Sequence, residues 1–457
     1  MSITPNDTIA AIATALGEAG ISVVRVSGPY ALPIADRVVR QRKELPSQRP
    51  AGTFALEQVI DGERVVDQAL VLIMRGPHSY TGEDVVEFQG HGGSQCAKSI
   101  LRVVCNAGAR LAEPGEFTQR AFLNGRMDLV QAEAVLDLIH ARSNRAAAAA
   151  LDQLQGQLSQ AMNGIYDDLI ALAADLEATL DFPEDELPDA VLPEIIDRGQ
   201  ASASQIQRWL DTWEEGHLLR DGALVVIAGR PNAGKSTLLN ALLGRERAIV
   251  SGIPGTTRDT IEEDIVLKGI PIRLIDTAGL RETECEIEQV GIARTHQKRL
   301  QADLEIYLID ATLPPDSHEI NNLSTDFQKR RLVILNKIDQ ANPEWKSHQN
   351  TIDIQLSLIK SVDIERVKDL ISGKLVSGLD LEARPHAVIS ERHYQLLSQA
   401  KHELEAVLAM LLTSHEDEVA LASTRMRDVL DLLGTITGRT YHDELLNTIF
   451  SRFCIGK

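Results

Sequence analysis

The stretch Gly229-Arg230-Pro231-Asn232-Ala233-Gly234-Lys235-Ser236 constrains this chain more than any other, because it fits G-x-x-x-x-G-K-[ST] between two recognisable elements. Residues 223–228 (ALVVIA) form the continuous apolar run of a fully buried strand, and residues 237–243 (TLLNALL) read as a helix. Strand, glycine-rich turn and helix bring backbone N–H groups and a helix N-terminus onto one anion. In such a loop Lys235 reaches the β- and γ-phosphates of a nucleotide and Ser236 ligates Mg²⁺. The other reading of the stretch is a glycine-rich turn with no ligand, which the correct flanks disfavour.

Three later motifs name the base and the switch elements. Asn336-Lys337-Ile338-Asp339 follows the apolar run 331–335. A carboxylate there accepts from the N1–H and the exocyclic amine of guanine. Adenine has no such donor pair, so GTP is favoured over ATP. Asp276-Thr277-Ala278-Gly279 closes the run 272–275; Asp276 would hold Mg²⁺ through water and the Gly279 N–H would sense the γ-phosphate. Between this motif and the P-loop lies Gly255-Thr256-Thr257-Arg258-Asp259, where a Thr can close on Mg²⁺.

The residue after Gly279 is Leu280, where many switch GTPases carry a water-orienting Gln. Leu cannot polarise water, so another device is required. One is a monovalent cation wrapped by carbonyls of Ser251-Gly252-Ile253-Pro254-Gly255 and the Asn232 side chain, supplying the positive charge of an arginine finger. The alternative for Asn232 is a side chain that only stabilises the loop. Among Glu282, Glu284, Glu286 and Glu288, one can orient the water, while a solvated charged face suits most of the four.

A length of 457 residues implies two to four domains. Hydrophobic content of 44% and charged content of 25% fit a globular protein. The cysteines Cys96, Cys105, Cys285 and Cys454 are too scattered for a zinc pattern or a disulfide framework, so a reducing cytoplasm is expected. The N-terminus lacks a basic n-region, and no run reaches the roughly 18 apolar residues of a membrane helix. No membrane association is expected. A net charge of −20 argues against broad non-specific nucleic-acid binding, although Arg102, Arg110, Arg120 and Arg126 leave local positive charge.

Along the chain, residues 21–27, 68–74 and 85–89 read as strands of a small α+β domain spanning 1–122. Leu151, Leu154, Leu158, Met162, Ile165, Leu169, Leu172, Leu176 and Leu180 make one apolar stripe, predicting a single long amphipathic helix, and 195–219 predicts another. Residues 181–186 (DFPEDE) break the pattern as a loop. Alternating strands and helices over 221–381 predict a mostly parallel sheet with helices on both faces, ending in a strand at 352–357. Helical periodicity returns beyond 385, so this unit is expected to be inserted between the halves 123–220 and 382–457 of one helical domain.

Taken together, Asp7-Thr8-Ile9, residues 77–84 (PHSYTGED), Gln89-Gly90-His91-Gly92-Gly93, residues 114–125 (PGEFTQRAFLNG), residues 255–259, residues 276–282 and the terminal Phe453-Cys454-Ile455-Gly456-Lys457 resemble the TrmE (MnmE) family of tRNA wobble-uridine modification GTPases. The likeness runs over essentially the whole chain. It implies a multidomain α/β protein: an N-terminal α+β folate-binding domain, a helical bundle domain and an inserted Ras-like P-loop GTPase domain. It implies GTP contacts at 232–237, 251–257 and 276–279, and at Asn336, Lys337, Asp339 and Ser357. Mg²⁺ falls to Ser236 and Thr257. K⁺ falls to Asn232, Ser251, Ile253 and Thr256. Glu288 becomes the acidic catalytic residue beside Asn232 and Lys235. The resemblance places 5-formyl-tetrahydrofolate, or a related tetrahydrofolate, at Arg25, Glu87, Arg126 and Lys457.

It further implies a homodimer through the N-terminal domain and a heterotetramer with the flavoprotein MnmG (GidA). Together the two proteins install an aminomethyl or carboxymethylaminomethyl group at C5 of the wobble uridine of tRNA. The segment 15–20 carries fewer Gly, Pro and basic residues than the family pattern, and the usual S-A-K or S-A-R is Ser357-Leu358-Ile359 here. Cys454 has two readings, a nucleophile toward uracil C6 or a packed thiol that positions the C-terminal tail. Two other readings of the whole chain are a GTP-dependent assembly or regulatory switch with a folate-sensing N-terminal domain, and a generic P-loop ATPase, which Asp339 disfavours.

Overall fold

The computed structural model describes residues 7–40, 44–181, 191–246, 262–276, 301–316, 319–320, 330–375, 389–412 and 416–457. The chain divides into two compact units. One comprises Met1–Leu136, Gln153–Ala203 and Gln399–Lys457, the other Asp137–Asp152 and Ser204–Ser398. Strands in chain order are β1 (Ile9–Ile12), β2 (Ile21–Ser27), β3 (Phe54–Asp61), β4 (Arg64–Met74), β5 (Val85–His91), β6 (Arg110–Leu111), β7 (Ala223–Gly229), β8 (Glu262–Leu267), β9 (Ile270–Asp276), β10 (Leu304–Asp310), β11 (Arg330–Asn336) and β12 (Ile354–Gln355). Helices are α1 (Ala31–Val38), α2 (Ser94–Asn106), α3 (Glu116–Leu123), α4 (Leu129–His140), α5 (Asn144–Leu154), α6 (Gln157–Asp181), α7 (Val191–Asp211), α8 (Trp213–Arg220), α9 (Lys235–Glu246), α10 (Ser361–Leu375), α11 (Glu391–Leu411), α12 (Glu416–Thr437) and α13 (Asp443–Phe450).

In the first unit the described strands form a sheet of order β3-β4-β5-β2-β1-β6, antiparallel except for the β1–β6 pair. Strand alternation puts Val24, Val26, Val71, Ile73, Val86 and Phe88 in one core with Ile34 and Val38 of α1 and Ile100 and Val104 of α2. Burying each of these side chains contributes about 1.5–3 kcal/mol. The same alternation leaves Arg25 and Glu87, directly paired across β2 and β5, on the half-buried face. Phe122, Leu129 and Val135 make a second core with Leu446, Ile449, Phe450 and Phe453, which anchors α13 and the C-terminal tail beside α3. The long helices α6 and α12 pack along each other.

In the second unit the described strands run β12-β11-β10-β7-β9-β8, parallel except for the antiparallel edge pair β8–β9. Every residue of β10 is buried, as expected of a central parallel strand. Val225, Ile227, Ile306, Leu308, Leu332 and Ile334 pack on Leu238 and Leu242 of α9 and on Val367 and Ile371 of α10. On the opposite face Ala228, Tyr307, Ile309, Val333 and Leu335 surround Trp345. Because the strands are parallel, Gly229, Asp310 and Asn336 emerge together at the carboxyl ends of the adjacent strands β7, β10 and β11.

Three expected elements differ. The single helix expected along Leu151–Leu180 is two, α5 and α6, broken where Gly156 takes φ +86°; Leu151 is exposed, so the buried stripe begins at Leu158. The helix expected over 195–219 also splits, because the Thr212 hydroxyl and N–H both bond the Trp209 carbonyl and close a turn between α7 and α8. The strand expected at 352–357 is confined to Ile354–Gln355, an edge strand.

Candidate functional site

The phosphate loop joins β7 to α9. Two of its glycines are required by close approach: a Cβ on Gly229 (φ +145°) would lie 2.3 Å from the Leu308 carbonyl oxygen, and one on Gly234 (φ +105°) 2.5 Å from Asn336 Nδ2. Asn232 takes φ +64°, a left-handed conformation that Asn tolerates better than most residues. Lys235 is buried and donates to the carbonyls of Gly229 (3.1 Å) and Arg230 (2.7 Å), so its ammonium waits inside the loop. Ser236 and Thr237 are exposed on the wall of the cleft.

The base-reading loops are tied to the phosphate loop by side chains. Asn336 Nδ2 donates to the Ala233 carbonyl (2.9 Å), while its Oδ1 accepts the Leu358 N–H (3.1 Å). Lys337 donates to the Asn232 carbonyl (2.9 Å) and to Asp310 (2.6 Å). Burial pushes the Asp310 carboxyl up, but hydrogen bonds from Lys337 and Thr312 outweigh it and hold the group below its ordinary value. Asp339 is exposed and Ser357 buried, both on the cleft wall. The cleft encloses about 590 Å³, the size of a nucleotide-scale pocket. Ile227 pairs with Asp276, so the first residue of the D-x-x-G motif ends β9 on the strand next to β7.

The remaining expected contacts lie outside the described residues: Ser251, Gly252, Ile253, Pro254, Gly255, Thr256 and Thr257; Thr277, Ala278 and Gly279; and Glu288. Of the Mg²⁺ ligands the structure therefore describes Ser236, and of the K⁺ ligands Asn232.

A second cluster sits in the first unit. Arg25 Nε donates to Glu87 (2.8 Å), and its guanidinium lies 5.2 Å from the Tyr80 ring centroid and 5.6 Å from that of Phe117. Arg25 Nη1 is buried with no hydrogen-bond partner among the described residues. Burial pushes the Lys457 ammonium below its ordinary value; the Arg25 charge adds to this and Glu87 opposes it. Lys457 is thus within electrostatic reach of Arg25 and Glu87. Arg126 is held one step away, its Nε on the Ser79 carbonyl (3.1 Å), on the loop that carries Tyr80.

The tail that delivers Lys457 is latched. Ile455 bridges Pro114, and a Cβ on Gly456 (φ +101°) would lie 2.3 Å from the Ile12 carbonyl oxygen. Cys454 is exposed, and its carbonyl accepts the Gly115 and Lys457 N–H groups.

Sequence reasoning missed Tyr80, Phe117 and Asp310. Asp310 ends the run Leu304–Asp310, whose mostly apolar composition (LEIYLID) was the available signal; Tyr80 and Phe117 lie in quoted motifs, but only the fold brings them onto Arg25. Among the described residues no cluster of His, Cys, Asp and Glu could hold a metal, and no helix is long and apolar enough to cross a membrane.

A P-loop on β7, a guanine-reading N-K-x-D after β11 and a parallel sheet with one antiparallel edge strand define a GTP hydrolase of the P-loop class, which binds GTP with Mg²⁺. The rest of the chain specifies which kind. A family profile described as MnmE helical domain matches residues 129–454, and one described as GTP-binding protein TrmE N-terminus matches residues 8–126. The "tRNA modification GTPase MnmE" of Symbiobacterium thermophilum is 43% identical over 461 residues, covering 99% of each chain. The protein of that name from Geobacter sulfurreducens is 42% identical over 459 residues, again 99% of each. The FeoB G-domain of Methanococcus jannaschii overlaps 34% of this chain and 97% of its own at 23% identity and a TM-score of 0.25. The chain belongs to the TrmE (MnmE) family.

Proposed function

We propose that this chain couples GTP hydrolysis to modification of the wobble uridine of tRNA, at C5, together with the flavoprotein MnmG and a tetrahydrofolate one-carbon donor, in the cytoplasm. The observation that carries the reading is the 42–43% identity, over 99% of the chain, to relatives named for tRNA modification. Three domains serve it in this reading: 1–122 for folate and dimerisation, the two halves 123–220 and 382–457 for the helical frame, and 221–381 for GTP.

At the nucleotide, Lys235 exchanges the Gly229 and Arg230 carbonyls for phosphate oxygens, and the glycine-lined loop offers its N–H groups. Ser236 and Thr257 hold Mg²⁺, which neutralises phosphate charge when bound. Asn232, Ser251, Ile253 and Thr256 hold K⁺, and Glu288 orients the attacking water that Leu280 cannot. The fixed Asn232 backbone, bonded through its carbonyl to Lys337, suits a residue whose side chain must stay aimed at one point.

The Arg25 cluster fits an anionic, hydrogen-bonding ligand such as 5-formyl-tetrahydrofolate. Arg25 Nη1 is buried and unbonded, Glu87 offers a carboxylate, and Arg126 and Lys457 offer cations. When bound, the folate supplies a one-carbon unit; the residues here bind and orient it. A homodimer would bring two GTPase domains within reach of each other for a hydrolysis-driven cycle of closing and opening.

The test is nucleoside analysis of tRNA from a deletion strain, complemented with wild type or Asn232→Ala, alongside GTP hydrolysis in potassium and in sodium. Loss of the C5 modification on deletion, and strong potassium activation absent from Asn232→Ala, are expected. Unchanged wobble uridines on deletion would overturn the tRNA reading; equal rates in both salts would overturn the potassium site.

A further inference from the structure

Four arginines give the N-terminal third its local positive charge, and the fold engages three of them. Arg110 is paired with Asp7 and Glu116, and Arg120 with Asp7, Glu83 and Glu116. Arg126 is held on the Ser79 carbonyl. Arg102 is different. It is exposed on α2, one turn after the exposed Lys98, and neither side chain is paired with a carboxylate among the described residues. Residues 88–112 hold no Asp or Glu, although the chain has 66 of them and a net charge of −20.

Packing decides which face of α2 meets solvent. Ile100, Val103 and Val104 lie in the sheet core, so helical spacing turns Ser94, Gln95, Lys98, Arg102 and Asn106 outward. These are the exposed residues of the helix; all are polar, two are cationic and none is acidic. The row continues past the end of α2, where the exposed Arg37 of α1 donates from Nη1 to the Ala107 carbonyl at 3.1 Å. From Lys98 to Ala107 the axis runs about 14 Å. A single exposed cation is ordinary on a surface. Three in one row, inside an acid-free stretch of a strongly acidic chain, make a local positive field. A protein interface needs apolar or aromatic anchors at its centre, and α2 exposes none. Phosphate oxygens of a nucleic-acid backbone need only cations and hydrogen-bond donors, which this row supplies.

We infer that the exposed face of α2, extended by Arg37, is a phosphate-backbone surface for tRNA. The inference rests on the tRNA reading above and adds the surface. α2 packs on the core face of the sheet, whereas Arg25 and Glu87 stand on the other face. The row therefore holds the body of the RNA and reads no base.

The experiment is fluorescence anisotropy of labelled tRNA with the full chain over a range of salt, for wild type, Lys98→Ala with Arg102→Ala, and Lys98→Arg with Arg102→Lys. The alanine pair is expected to bind about tenfold more weakly and to flatten the slope of log K against log salt by about 1.5, as two phosphate contacts are lost. The charge-keeping pair is expected to stay within about twofold of wild type, because a backbone contact needs the cation more than its shape. Melting midpoint and GDP affinity equal to wild type check that exposed substitutions leave folding untouched. Wild-type affinity and slope in the alanine pair, or weaker binding with an unchanged slope, would overturn the inference. So would intact tRNA binding by that pair with loss of the C5 modification in a complemented deletion strain, which would assign the row to a protein partner. Wild type binding no tRNA would also overturn the surface; loss of the modification on deletion would still leave the tRNA reading standing, so the two failures are distinct.

Discussion

Lys337 Nζ lies 2.6 Å from Asp310 Oδ2, so the lysine of the base-reading motif is anchored to the end of the central strand while it holds the Asn232 carbonyl of the phosphate loop. Asp310 is itself no expected ligand contact, yet through Lys337 it is tied to the loop. Asp310→Asn removes the charge partner of Lys337 from a pair in which the carboxylate is buried and the ammonium is more than a third exposed, which weakens the tie. GDP release, followed by a fluorescent analogue in stopped flow, is expected to speed up about tenfold. A release rate equal to wild type would show that Lys337 needs no anchor.

Gly234→Ala should remove nucleotide binding without unfolding the second unit. The new Cβ would meet Asn336 Nδ2 at 2.5 Å in a backbone conformation, φ +105°, that side chains rarely adopt. Relief requires moving either the loop or the Asn336 amide that fastens it. The GDP dissociation constant is expected to rise more than about tenfold while far-ultraviolet circular dichroism is retained. Wild-type affinity in this variant would contradict the geometry.

The Arg25 cluster makes a graded prediction for folate binding. Arg25→Ala removes the unbonded Nη1 and strands Glu87, and should weaken 5-formyl-tetrahydrofolate at least about tenfold. Tyr80→Phe keeps the ring against the guanidinium and loses only the 2.8 Å hydrogen bond to the Thr118 hydroxyl, so its loss should be about threefold. Fluorescence titration measures both, and the reverse order of severity would dismiss the ring-and-carboxylate account of Arg25.

Acid should unfasten the first unit through Asp7 and Glu116. Burial pushes both carboxyls up, but hydrogen bonds from Arg110 and Arg120 outweigh it and leave both below their ordinary values of 3.8 and 4.5. The folded state therefore binds protons less readily than the unfolded chain. The stabilisation is complete above those ordinary values and is lost as pH falls through the lower folded ones. Asp7→Asn should flatten the fall in melting midpoint below about pH 5 relative to wild type. Parallel curves for the two proteins would remove Asp7 from the acid response.

Much of the nucleotide site was legible beforehand because its chemistry is local. Gly229, Gly234 and Lys235 sit in one short loop whose geometry demands those residues, and Asn336 and Asp339 sit in another. The strands Ile21–Ser27 and Ala223–Gly229 were legible because buried strands concentrate apolar residues. The helix breaks at Gly156 and Thr212 were not. The apolar period runs on through both, and only the left-handed φ of one and the side-chain bond of the other end the helix. Likewise the ends of β12 depend on its neighbour β11 rather than on its own composition.

The sequence by itself determined which ligands the chain can address, since phosphate cradling and guanine reading need particular residue types at fixed spacing. It also determined the family, through motifs spread over the whole length. The tertiary structure decided which distant residues act together: Asp310 behind Lys337, Tyr80 and Phe117 on Arg25, and Lys457 within electrostatic reach of Arg25 and Glu87. The physical reason is that contact between residues far apart in the chain is set by sheet register and packing, which leave no periodic trace at either residue.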